Sequence, residues 1–312
     1  MLGRSLLATM MLTALVPLTA QAAQDESDAL RLVVPPWPGV TVKSEILAQL
    51  AEPLGYRVSR QELSSTVGYS TLQSGDSDVF LAGWLPAQQE SFDAAMAAGK
   101  IVDLGNNVEG ARMGFAVPGY VAEAGITRAE QLADPEVAER FDRRIYSIEN
   151  GSTVTDMMEV AIDNDTYGLG DWSILSSSTP GMLSEVAGAV SEQRWILFYG
   201  WTPHWMIPAY DVQLLEDPEG VFGPDSGGSD VRTIVARDYA EANPNMRRLL
   251  DQFRFTADEQ SDFISAYSRE ERDLEDVARE WLAEHPERVD AFLDGVTTRD
   301  GAPAASVVEA AP

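Results

Sequence analysis

The residues with the most chemistry to offer lie in one stretch, Trp195–Met206, which reads WILFYGWTPHWM. Trp195–Tyr199 is a short apolar run of large side chains, too short for a helix and bounded by Gly200, and is read as a buried strand. Gly200 and Pro203 break it, so Trp201, His204 and Trp205 stand just past its end. In open α/β sheets ligands sit outside the carboxyl ends of strands. Two indoles beside one of the chain's two histidines suggest a small-molecule site there. The plainer alternative is that these rings cap the core.

Two more tryptophans repeat the pattern. Trp37 lies in PWPG at 36–39, between a strand Leu30–Pro35 and a helix Val40–Leu50 whose Val42, Ile46, Leu47 and Leu50 share one face. Trp84 lies in GWLP at 83–86, after a strand Asp78–Ala82. Tryptophan faces attract cations, and a ring cage suits a quaternary ammonium group, which donates no hydrogen bond. The amides of Gly39, Val40 and Thr41 stand at a helix start, where N–H groups and the helix dipole favour an anion, and glycine lets a ligand approach the backbone. With His204 they could hold a carboxylate, and one small ligand carrying both groups is a betaine. Each feature has a plainer reading: ring as gap filler, turn as ordinary β–α connection, Gln88 as a solvated helix residue, and Ser152 or Thr153 as the N-cap of a helix Thr155–Ile162.

Other chemistry is missing. There is no GxSxG elbow, P-loop or HExxH motif. With no cysteine, thiolate catalysis and disulfides are excluded, and two histidines leave little for a metal site. The pattern favours binding without catalysis, cofactor or metal; the rival is a secreted hydrolase acting on a small substrate. A net charge of −28, from 50 acidic against 22 basic residues, opposes nucleic-acid or anionic-lipid partners. The acidic residues are scattered, as for a solvated surface suited to a salty environment.

These residues need a scaffold. A chain of 312 residues implies two domains or lobes. Residues 1–23 carry Arg4, an apolar Leu6–Leu18 and an A-x-A site, the architecture of a cleaved signal peptide. No later segment is apolar enough to span a membrane, so a soluble periplasmic protein is expected. The strand–helix–strand rhythm implies a parallel sheet covered by helices. Phe115–Val117 and Asp230–Ala236 read as strands, 243–295 as helical, and 296–312 as a disordered tail.

GWTPHW at 200–205, GWLP at 83–86 and WPGV at 37–40 resemble the substrate-binding proteins of ABC importers for glycine betaine, proline betaine and choline, a resemblance running from about Leu30 to Gly295. It implies a two-lobe periplasmic binding protein fold with ligand in the inter-lobe cleft and a helical C-terminal part: lobe I at 30–112 plus 213–295, lobe II at 113–212. It also implies cage roles for Trp37, Trp84 and Trp201, carboxylate contacts from Gly39 and Val40 with His204 helping, and ligand contact near Gly151 and Ser152. Where the choline branch has an acidic residue this chain has Gly39, and where it has an aromatic one, Met113; the first favours a carboxylate ligand. The expected protein is a monomer that delivers glycine betaine, or alternatively choline, carnitine or a sulfonium compound, to an inner-membrane ABC permease.

Overall fold

The computed structural model describes residues 28–308; the segment read as a signal peptide lies outside the described residues. Nine strands form one sheet: β1 (Ala29–Val33), β2 (Arg57–Gln61), β3 (Val79–Leu85), β4 (Ile101–Val117), β5 (Arg144–Ser147), β6 (Ser173–Ser176), β7 (Leu197–Thr202), β8 (Gln213–Leu214) and β9 (Gly228–Ala236). Their order is β2-β1-β3-β9-β4-β7-β5-β6, with β8 on β4. The parallel pairing expected from the strand–helix rhythm holds on the flanks, for β1 with β2 and β3 and for β5 with β6 and β7. The centre corrects that expectation, because β9 and β4 pair antiparallel with each other and with β3 and β7.

β4 ties the two halves of the sheet together. Along Ile101–Arg112 it pairs with β9, and along Arg112–Ala116 with β7. Its first part, DLGNNVEGAR at 103–112, has no apolar alternation and was not legible as strand. The β9 ladder nevertheless holds it, with three register shifts between Asp103 and Ala111 absorbing the polar, glycine-bearing residues.

The helix Pro38–Ala51 is buried on nearly every side. Its apolar face, with Ile46 and Leu47, meets the sheet, and helices Ala257–Ile264 and Leu274–Glu284 cover it from outside. The 296–312 segment, expected to be disordered, is packed over its described part. Val296 and Ala304 are buried, the Arg299 N–H donates to the Leu54 carbonyl at 3.0 Å, and its guanidinium pairs with Asp28 at 2.6 Å. Asn245 adds a reciprocal pair of bonds, its Nδ2 donating to the Thr297 carbonyl at 2.5 Å and its Oδ1 accepting the Thr297 N–H at 3.0 Å, so the segment docks without any periodicity. Among the described residues no helix is long and apolar enough to cross a membrane.

Candidate ligand-binding site

β3 and β7 each carry a Gly-Trp pair near their carboxyl ends. The strands do not break at Gly83 and Gly200, as their residue type suggests, but continue through Trp84 and Trp201. Gly200 pairs with Gly114 and Trp201 with Met113, so β4 supplies the ladder that keeps the strand going. A Cβ on Gly200 would lie 2.5 Å from Ala116 Cβ, and one on Gly83 2.4 Å from Ile234 Cδ1. The glycines therefore serve close packing of neighbouring strands and seat the following indoles.

Trp37, Trp84 and Trp201 line one cavity, and Gly39, Val40 and Ser152 share its wall. Tyr199, two residues before Trp201 and so on the same strand face, adds a fourth ring, stacked on Trp201 with centroids 5.1 Å apart at 25°. Trp37 Nε1 donates to Glu149 Oε1 at 2.6 Å, joining the first β–α turn to the loop after β5. Ala82, Ile148, Val154 and Ile264 complete an apolar lining.

At the helix start, Pro38 has no N–H and the Thr41 amide already donates to the Trp37 carbonyl at 3.1 Å. The expected trio of donors is thus reduced to Gly39 and Val40, which have no carbonyl four residues back within the helix. A Cβ on Gly39 would lie 3.1 Å from Gln260 Nε2, so glycine keeps room between helix and amide. Ser152 is both lining and cap: its hydroxyl accepts from the Thr155 N–H at 3.4 Å at the start of helix Thr153–Asp163.

Three sequence-singled residues lie elsewhere. His204 is buried behind Trp201, edge-on with centroids 4.8 Å apart, and its Nδ1 accepts the Met206 N–H at 3.1 Å. Burial pulls its pKa down to about 3. A neutral imidazole in that place backs the indole and is not among the cavity-lining residues, and its Nε2 has no hydrogen-bond partner among the described residues. Met113 is fully buried beneath Tyr199, whose hydroxyl points at its sulfur at 3.9 Å, so it does not line the cavity either. Gly151, with φ of +80°, lines a separate indentation beside Glu149 and Asn150 on the far side of Trp37.

The lining also holds residues that the sequence does not assign to the site, Tyr199, Gln88, Gln260 and Lys43 among them. Tyr199 was hidden inside an all-apolar run. Gln88 is buried, not solvated, and donates to the Ala82 carbonyl at 3.2 Å. Gln260 comes from the distant helix Ala257–Ile264 and leaves its Oε1 without a partner. Lys43, fully buried, was readable only as a lone cation one helical turn beyond Gly39.

The architecture and the cleft-like, ring-lined cavity define a two-lobe α/β solute-binding protein. Residues 28–284 match the family described as the substrate-binding domain of the ABC-type glycine betaine transport system, and the chain belongs to that family. It is 25% identical over 289 residues to the glycine betaine-binding periplasmic protein OusX of Dickeya dadantii, covering 81% of this chain and 85% of that one. It is 30% identical over 181 residues to the glycine betaine/carnitine transport binding protein GbuC of Listeria monocytogenes, covering 58% of this chain and spanning only 59% of that relative. Among solved structures, an ABC-transporter choline-binding protein in complex with choline matches with TM-score 0.87 and 28% identity, over 92% of this chain and 98% of that one. The closed, glycine betaine-bound lactococcal OpuAC matches with TM-score 0.75 and 26% identity, over 85% and 99%.

Proposed function

We propose that the protein captures a quaternary-ammonium osmolyte, glycine betaine first among them, in the cavity between Trp37, Trp84, Trp201 and Tyr199 and hands it to an ABC permease in the inner membrane. The observation that carries this reading is the meeting of indoles from two strand ends and the first β–α turn in one cavity beside a helix start. The rings take the trimethylammonium head; the Gly39 and Val40 amides take the carboxylate. Each cation–π contact contributes about 0.5–2 kcal/mol when desolvated, so three or four with a carboxylate contact support micromolar binding, about −8 kcal/mol. The protein acts by binding alone, as a monomer exported through cleavage of its first 23 or so residues. Its lobes are 30–112 plus 213–295 and 113–212, a division supported by the change of β4's partner from β9 to β7 at Arg112. Closure of the lobes excludes water and strengthens both interactions.

Choline is the second reading, favoured by the TM-score of 0.87 to a choline complex. Calorimetric titration of the purified protein with glycine betaine, choline, carnitine and a sulfonium analogue tests both. Micromolar binding of glycine betaine is expected, and absence of heat with every quaternary ammonium compound overturns the assignment.

A further inference from the structure

Lys43 sits one turn after Gly39, on the same face of the helix Pro38–Ala51, and helical side chains lean toward the amino end. Its side chain therefore runs back toward the proposed carboxylate donors, and it lines the cavity. Its Nζ donates to the Leu81 carbonyl at 3.0 Å and to Asn107 Oδ1 at 2.6 Å. Asn107 is itself fixed, its Nδ2 donating to the Leu81 carbonyl and to Thr233 Oγ1, both at 3.0 Å. Both acceptors of Lys43 are neutral, so among the described residues an ammonium with three donors has two partners and no counter-charge.

Of the charged groups on the surrounding elements, Glu149 accepts the Trp37 indole N–H and lies close enough to act on Tyr199, with its Oε2 unpartnered, and the others named here are engaged elsewhere or face solvent. Glu45 on the same helix pairs with Arg60, Asp103 on β4 with Arg232 of β9, and Glu259 of the covering helix with Arg288. Asp276 and Glu280 of the second covering helix pair with Arg279 and Arg272, while Asp258 and Asp262 face solvent. Tyr199, the other titratable lining group, is held neutral because burial pushes its phenol far above the ordinary range.

Residue choice points the same way. The chain has only two lysines, Lys43 and Lys100, among 22 basic residues. All the other basic residues but Lys100 are arginines, yet the cavity wall received the side chain that can lose its proton, which arginine cannot. Burial alone pulls the Lys43 pKa down to about 7.

We propose that Lys43 is a specificity-determining residue that favours zwitterionic quaternary ammonium ligands over purely cationic ones. A betaine brings the missing counter-charge in its carboxylate and stabilises the protonated lysine. Choline brings a second positive charge and favours the neutral amine. This inference rests on the ligand class proposed above.

The two ligands must then move protons in opposite directions. Calorimetry of the unmodified protein near pH 7, in buffers of different ionisation enthalpy, is expected to show net proton uptake with glycine betaine and net release with choline. Correspondingly, raising the pH from 6 to 8.5 weakens glycine betaine binding and tightens choline binding. Lys43→Met is expected to abolish both pH dependences and to lower the preference for glycine betaine over choline at least tenfold at pH 6. Binding of both ligands with no proton exchange, or with exchange of the same sign, overturns the role of Lys43 and leaves the ligand class standing. No binding of either ligand overturns the ligand class and this inference with it.

Discussion

Trp201 is the ring on which the cavity most depends, because its position is the most constrained. It is 8% exposed, stacks on Tyr199, and is backed edge-on by a histidine whose Nδ1 is occupied by a backbone N–H. An indole fixed before the ligand arrives loses little freedom on binding, and that preorganisation adds to affinity. Trp201→Ala removes one cation–π contact of about 0.5–2 kcal/mol and the apolar area beside it, so at least a tenfold rise in Kd for glycine betaine is expected by calorimetric titration. An unchanged Kd removes that ring from the site. At this scale the sequence was readable where residue type is rare and unambiguous: Trp37, Trp84 and Trp201 all reach the cavity wall. It was unreadable where one type serves two purposes. Tyr199 in an apolar run looks like any core residue, and nothing in the type of His204 tells that one ring nitrogen accepts the Met206 N–H while the other stays without a partner.

The elements that carry these rings owe their placement to glycines that permit close packing. Gly200 is the clearest case, because a Cβ there meets Ala116 Cβ at 2.5 Å and Leu214 Cδ2 at 3.1 Å, and both neighbours belong to paired strands. The Leu214 methyl can rotate away, but the Ala116 Cβ, fixed to its strand backbone, cannot. Gly200→Ala is therefore expected to destabilise the protein by about 1–3 kcal/mol, the usual cost of overpacking, read as a lower midpoint in thermal or urea unfolding. A midpoint equal to the parent's shows that β4 and β7 can separate freely. The same pair of strands shows where pattern reading stops. Periodicity located the helix Pro38–Ala51, expected at Val40–Leu50, to within two residues, because its apolar spacing is local. The first half of β4 and the antiparallel centre of the sheet have no local signature, since both depend on β9, more than a hundred residues later.

For the whole molecule the dominant fact is charge. Fifty acidic residues face 22 basic ones, and the ion pairs engage many arginines without touching the excess: Arg128 alone bonds both Glu130 and Glu216, and Arg232 both Asp103 and Asp230. Most of the unpaired carboxylates among the described residues lie on the surface, Asp217 being a buried exception, and they repel one another most strongly in the compact state. That repulsion is long-ranged in dilute buffer and short-ranged in brine, because the screening length falls from about 10 Å at 0.1 M salt to about 3 Å at 1 M. The thermal midpoint is accordingly expected to rise between about 0.05 M and 1 M sodium chloride, measured by calorimetry or near-ultraviolet circular dichroism on ligand-free protein. A non-ionic osmolyte of matched osmolality controls for general solute effects, since it screens nothing. A midpoint that stays flat with salt, or rises equally with the non-ionic solute, shows that the acidic excess is spaced widely enough to be harmless and separates the surface charge from any role in salt tolerance.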